Sequence, residues 1–244
     1  MNQNKRDFND PNRVVLPFGE LKQAIFLERK NRFIARVEIE GSILDVHVPS
    51  TGRLDTVLKK GLSVYLKASN NPSRKTPYSL LLVQQEGGLV CVDAILVNHF
   101  TRLMLQHQWL PSIPSEGIIQ QEYKMGESRF DFAIHERKTH LLEVKSVNMV
   151  VDEIAYFPDA PSERGTKHVE ELIHWHQHGF PCHLLFVVQR GDAKCFSPHF
   201  KRDPKFSDAV KRALEIGIET KACLTDVTLD GMYWDSWLPI KLDQ

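Results

Sequence analysis

Two carboxylates and a lysine stand where an apolar strand has no use for charge. Residues 129–134 read Arg-Phe-Asp-Phe-Ala-Ile and residues 141–146 read Leu-Leu-Glu-Val-Lys-Ser. These are two strand-like runs joined by a short charged stretch. Side chains alternate faces along a strand, so Glu143 and Lys145 point one way and Val144 the other. Asp131 reaches the same face if it pairs with Glu143 directly or nearly so. That register requires a loop centred near Arg137, with one odd residue or a bulge. It places Phe130, Phe132 and Ile134 in one apolar row against Leu142 and Val144. Arg129, Asp131 and Ala133 then lie against Glu143, Lys145 and Val147. A slip of one residue would drive Asp131 into the apolar layer, at a cost on the order of several kcal/mol.

Hard oxygen ligands of this kind suit Mg²⁺ or Mn²⁺. A cation so held can polarise a phosphoryl oxygen and supply a nucleophilic water. A lysine two residues from a ligand can orient that water or stabilise charge developing on the phosphate. Phosphodiester hydrolysis is the reaction class that needs all three parts. The bland alternative is a solvated salt-bridge set, which is worth little. The apolar setting of all three residues weighs against it.

The elements that must position this set can be read along the chain. The 244 residues are 42% hydrophobic and 25% charged, an ordinary soluble balance with room for two domains. No run approaches the ~18 apolar residues of a membrane span, and residues 1–12 are polar, with no signal-peptide core. Four scattered cysteines without a Cys-x-x-Cys pair read as buried free thiols of a cytoplasmic protein. Residues 1–90 carry 14 Lys and Arg against 9 Asp and Glu. A basic front half suits a phosphate backbone, although an excess of this size also arises by ordinary scatter.

Residues 13–92 read as all-β, with runs at 21–27, 32–39, 43–48, 63–67, 79–85 and 89–92. Turn residues such as Glu40-Gly41, Lys60-Gly61 and Gly87-Gly88 separate them. Strands at this spacing predict a small OB-like barrel. From residue 93 to 244 the pattern changes to α/β. A helix is predicted over 94–109, a strand over 117–124, and then the hairpin. An amphipathic helix over 166–178 crosses to a buried parallel strand over 182–188. A helix over 205–216 and a strand over 218–224 follow. The stretch between Val147 and Gly165 shows no period and reads as a lid over the site.

The order of elements and the Asp131…Glu143-Val144-Lys145 spacing resemble the PD-(D/E)xK nuclease superfamily, with Phe130 where the nominal proline stands. A closer resemblance is carried by five runs in order. They are His47-Val48-Pro49-Ser50-Thr51-Gly52-Arg53, Ser128-Arg129-Phe130-Asp131-Phe132, Glu143-Val144-Lys145-Ser146-Val147, Tyr156-Phe157-Pro158-Asp159-Ala160 and Glu163-Arg164-Gly165-Thr166-Lys167-His168. Together they are similar to the sugar fermentation stimulation protein A family, over nearly the whole chain from about Arg13. Ser50 stands where that family commonly has Asn, and His99 lies in an otherwise Asn-rich helix start. The resemblance implies an N-terminal OB-like barrel followed by a PD-(D/E)xK restriction-endonuclease-like α/β domain. It also implies DNA binding and a link to the regulation of sugar (maltose) metabolism genes. It gives Asp131, Glu143 and Lys145 the metal and catalytic roles, with Glu122 as an additional acid.

Several basic residues are candidates for the nucleic acid. Arg53 ends a possible phosphate nest at 49–53. Arg74 and Lys75 form a basic loop patch. Arg164 and Lys167 sit near a helix N-terminus that favours anions. A hairpin turn, a solvated loop and an ordinary helix start are the respective alternatives. His174 and His178 share a helix face without a third ligand and read as surface histidines. Three functions therefore stand open: a Mg²⁺- or Mn²⁺-dependent nuclease, a non-catalytic DNA-binding regulator, and a hydrolase of a phosphorylated small molecule. The oligomeric state is not encoded in any of these signals.

Overall fold

The turn residues of the first ninety positions do separate strands in the computed structural model, which describes residues 15–71 and 73–242. The polar stretch 1–12, Arg13 and Pro72 lie outside those residues. Strand β1 is Val15–Pro17. Strands β2 (Leu21–Asn31), β3 (Ile34–Ile39), β4 (Ser42–His47), β5 (Ser63–Ala68) and β6 (Tyr78–Gln85) follow. Strand β7 (Gly88–Cys91) folds back on β6. Glu40 and Gly41 both have positive φ, the geometry whose twist suits a two-residue hairpin between β3 and β4. Strand β2 serves two neighbours, pairing first with β5 and then with β3. Register breaks after Phe26 and Arg29 add the coil that closure of a small sheet needs. A parallel bridge between His47 and Ser79 joins β4 to β6 and closes a five-stranded barrel. Phe26, Val37, Val46, Val64, Leu66 and Leu80 fill it. This is the OB-like barrel that the strand spacing predicts.

The elements that follow are α1 (Leu96–Gln106), β8 (Ile118–Met125), β9 (Ser128–His135), β10 (Thr139–Val147), β11 (Met149–Val151) and β12 (Ile154–Phe157). Then come α2 (Glu163–Gln177), β13 (Cys182–Val188), β14 (Cys195–Pro198), α3 (Pro204–Glu215), β15 (Glu219–Val227) and β16 (Gly231–Leu238). Seven strands make one mixed sheet in the order β1-β16-β15-β13-β10-β9-β8. Strand β13 lies at its centre, parallel to β10 and β15 and buried throughout, as an unbroken apolar run demands. Helix α2 crosses from β10 to β13. It packs with α3 on one face of the sheet, through Val169, Leu172, Phe206 and Val210. The other face is covered by α1 together with Leu81 and Leu82 of β6 and Cys91 of β7. The barrel therefore completes the core of the α/β unit.

Four features depart from the sequence-based expectations. Strand β1 pairs with β16, so the segment preceding β2 starts in the seven-stranded sheet and not in the barrel. The stretch between Val147 and Gly165 is not an irregular lid. It contains β11 and β12, which form a three-stranded sheet with β14. Ala155 is buried there and Phe157 meets Phe186 at a tilt and Phe206 edge-on, so the segment is held by the core. Helix α2 begins at Glu163, before Thr166, because Ser162 caps it by accepting the Gly165 N–H. Strand β16 has no counterpart among the predicted strands. A register shift in its pairing with β15 breaks the period-two pattern that would reveal it.

One buried carboxylate organises the two helix starts. Asp203 caps α3 by accepting the Phe206 N–H at 3.1 Å, and its other oxygen accepts the Ser162 N–H at 2.8 Å. Asp203→Ala is expected to cost about 2–3 kcal/mol and to lower Tm by roughly 5–10 °C. Thermal unfolding followed by circular dichroism measures this, and an unchanged Tm would refute the double cap.

Candidate metal centre

The sheet opens where the three charged residues meet. Strands β9 and β10 pair from His135–Thr139 to Phe132–Leu142 and no further. The loop is Glu136-Arg137-Lys138, centred on Arg137 as predicted, with no bulge. The same register sets Asp131 across from Glu143. Beyond that point β9 stays with β8 and β10 stays with β13, so the two strands part. Asp131 fills the gap. Its Oδ2 accepts the Val144 N–H at 2.8 Å, and its Oδ1 accepts Asn98 Nδ2 of α1 at 2.8 Å. The carboxylate thus satisfies an amide that the ladder has abandoned.

The predicted apolar row of β9 does not survive this opening. Phe132 and Ile134 pack on the α1 side of the sheet, but Phe130 packs on the α2 side. Glu122, across from Asp131 on β8, has φ of 54°. The pairs on either side of it, Gln121–Phe132 and Tyr123–Phe130, skip this step. Ile119 packs on the α1 side and Tyr123 and Met125 on the α2 side, so β8 changes faces at Glu122 as β9 does at Asp131.

Glu143 and Lys145 share a face, as their spacing requires, and both are buried. Glu143 Oε1 accepts from Lys145 Nζ and from His168 Nδ1 of α2. Burial alone would push the Glu143 carboxyl up, but Lys145 and His168 outweigh it and hold it below the usual range. Asp131 goes the other way. Burial first, and the Glu143 charge second, push its carboxyl up to about 6.

Glu143 Oε2 is buried and has no hydrogen-bond partner. An ionised oxygen left dry costs several times RT, on the order of a few kcal/mol, unless a cation takes it. The orphaned oxygen beside the second carboxylate fits a hard divalent ion. Among the described residues no three His, Cys, Asp or Glu side chains form a complete cage. An ion held by two carboxylates would complete its shell with water. Asp131 and Glu143 would hold it. Glu122 is not brought to them: its side chain is 61% exposed and stands 4.0 Å from Arg129. The left-handed turn of its backbone separates it from the inward-facing pair.

The basic candidates divide into two groups. Arg164 Nε donates to His168 Nε2 at 3.4 Å, so it stands directly behind the Glu143 contact. Lys167 pairs with Glu127 at 3.3 Å and ties α2 to the β8–β9 turn. On the barrel, Arg53 and Lys75 are exposed, and Arg74 donates to Ser79 Oγ at 3.0 Å. Residues 49–54 connect the barrel to the site. Pro49 O accepts the Ala94 N–H just before α1, and Leu54 N–H is bound by Asp159 at 3.0 Å. Gly52 lies so close to the Asp159 carboxylate that a Cβ would sit 2.6 Å from its oxygen. His174 and His178 are exposed ring neighbours, and among the described residues no third ligand joins them.

Sequence reasoning assigned no role to His168, Asn98 or Asp159. His168 had a readable signal, since it lies three residues after Gly165 and four before Leu172, on the buried stripe of α2. Asn98 and Asp159 had none, because their partners lie 33 and 105 positions away.

Comparison with known proteins bears on this geometry. A family model described as the sugar fermentation stimulation protein RE domain matches residues 95–231, and one described as the SfsA N-terminal OB domain matches residues 27–92. A sugar fermentation stimulation protein homolog of Desulforamulus reducens is 38% identical over 230 residues, covering 94% of this chain and 95% of its own. A protein of the same description from Carboxydothermus hydrogenoformans is 38% identical over 221 residues, 90% of this chain and 96% of its own. The solved structure of Pyrococcus furiosus SfsA in complex with Ca²⁺ matches with a TM-score of 0.86 at 30% identity, over 94% of this chain and 99% of that one.

The raised Asp131 carboxyl gives a stability signature. Its proton affinity is higher in the folded than in the unfolded chain, so the native state binds more protons between pH 4 and 6. Stability from this group is present below pH 4 and is lost as pH rises through about 6. Without added metal, Asp131→Asn is expected to match or exceed the wild type by about 1–3 kcal/mol at pH 7.5. The difference should shrink at pH 4.5. Urea unfolding at the two pH values measures it, and a wild type that gains on the variant as pH rises would contradict the site.

Proposed function

The chain belongs to the sugar fermentation stimulation protein family, and on that premise we propose that it acts on DNA at a divalent-cation site made by Asp131, Glu143 and Lys145, hydrolysing phosphodiester bonds. The observation that carries the reading is the buried, unpartnered Glu143 Oε2, set across from an acid whose proton affinity is raised. Mg²⁺ or Mn²⁺ suits these oxygens, and the Pyrococcus furiosus relative was solved with Ca²⁺, which shares their preference for oxygen ligands. Such an ion, when bound, polarises a phosphoryl oxygen and acidifies water.

The side chains divide the remaining work. Val144 N–H and Asn98 fix the Asp131 carboxylate, so it gives up its proton without changing place. His168 holds Glu143 Oε1, which leaves Oε2 as the oxygen for the cation. Lys145 lies on the same strand face as Glu143. Its ammonium serves to orient the attacking water or to donate to the phosphate as charge develops. Arg53, Arg74, Lys75, Arg164 and Lys167 supply positive charge for the DNA backbone.

A second reading is a non-catalytic DNA-binding regulator. It draws on the pairing of Lys145 with Glu143 and on a cage of only two carboxylates.

Cleavage of labelled single-stranded and duplex DNA with Mn²⁺ separates the two. Lys145→Ala is expected to reduce the rate about 100-fold or more, and EDTA to abolish it. Asp131→Asn should fold yet not cleave. No cleavage by the wild type on either DNA form would defeat the hydrolytic reading. Salt-sensitive binding that survives Asp131→Asn would then favour the regulator.

A further inference from the structure

The β2–β3 hairpin ends in two residues, Arg32 and Phe33. Turn tips are ordinarily polar, yet Phe33 is 50% exposed. Isolated exposed apolar residues are common and need no explanation. This one differs because its turn is held from three directions. Asn31 Oδ1 accepts the N–H groups of Phe33 and Ile34 at 2.9 and 3.1 Å. Phe33 O accepts the Val48 N–H at 2.8 Å. The Arg29 guanidinium donates to Arg32 O at 2.6 Å. An exposed aromatic on a fixed backbone loses little entropy on meeting a ligand.

The same guanidinium organises the neighbouring loop. Arg29 donates to Ser50 O, Gly52 O and Arg53 O. One half-buried arginine therefore sets the Arg32–Phe33 turn beside the 50–53 loop, with Arg32 and Arg53 both exposed. Of the acids in this region, Asp159 is engaged by Leu54 N–H and packs under Gly52, and Asp55 stands 3.8 Å from Arg202. The patch thus brings an exposed aromatic and two exposed arginines together on adjoining turns. The backbone also ties it to the acids. Val48 leads to Pro49, which bonds Ala94, and Asn98 follows about one helical turn later and holds Asp131.

We propose that Phe33, with Arg32 and Arg53, forms a base-stacking subsite for single-stranded DNA on the barrel. Stacking needs a flat apolar face, and unpaired bases present one that paired bases hide. The two arginines match the flanking phosphates. The inference rests on the DNA-directed reading above and adds the form of the strand and the residue that grips it.

Binding in EDTA tests it independently of turnover. A labelled single strand of about 15 nucleotides, within the reach of one OB fold, is titrated against its duplex and against an abasic strand of the same length. The wild type is expected to prefer the single strand. Phe33→Ala should weaken that binding about tenfold and leave its salt dependence unchanged. Phe33→Trp should restore it. Arg53→Ala should instead reduce the salt slope by about one. On the abasic strand the wild type and Phe33→Ala should bind alike. Unchanged single-strand affinity in Phe33→Ala, an equal loss on the abasic strand, or no wild-type binding at low salt would each overturn the subsite. A protein that grips DNA through Phe33 but never cuts it would sink the hydrolytic reading and leave this one standing.

Discussion

A strand that loses its neighbour leaves amides without acceptors, and this site depends on how one of them is satisfied. Strands β9 and β10 part after Phe132 and Leu142, and Asp131 Oδ2 takes the Val144 N–H. A carboxylate in that position serves two ends. It stabilises the end of a split ladder, and it sets an acid at the split, across from the next strand's Glu143. The split is therefore what makes room for a charged pocket in a sheet otherwise built of valine, leucine and phenylalanine. The left-handed Glu122 is the local cost of the split, a conformation that persists only where the surroundings enforce it.

The two carboxylates illustrate how environment separates like groups. Both are in the interior, yet Asp131 has its proton affinity raised and Glu143 has its own lowered. The difference lies in the donors. Glu143 receives a cationic lysine and an imidazole, whereas Asp131 receives only a neutral amide and a backbone N–H. A pair arranged in this way carries less than two full negative charges as pH falls to about 6. That tempers the repulsion which would otherwise open the site further.

The barrel is bound to this centre by polar ties as well as by shared core. Gln189, fully buried at the end of β13, donates to Asp93 O and to Cys91 Sγ, and it accepts from Ser146 Oγ next to Lys145. Arg190 reaches both Gln85 of the barrel and Asn148 O. With Asp159 under residues 52–54, these ties fix the barrel loops relative to the acids. Buried networks in which each member is satisfied favour one arrangement over its alternatives. The segment between β10 and α2 takes part in this frame. It packs in the core at Ala155 and Phe157, which is why it does not behave as a free lid.

The amino-acid sequence by itself determined the barrel, the crossover helix, the central strand and the common face of Glu143 and Lys145. All of these follow from periods of 2 and 3.6 residues and from turn chemistry, which act over a few positions. The direct register of Asp131 with Glu143 was legible for the same reason, because a three-residue loop leaves little choice. Only the tertiary structure decided the rest. Glu122 turns to solvent, Phe130 changes faces, β1 joins the larger sheet, and His168, Asn98 and Asp159 arrive from elements that lie 25 to 105 positions from their partners. The physical reason is that hydrogen bonds and desolvation depend on which groups meet in space. Local periodicity fixes the direction of a side chain along its own element, but not what stands opposite it.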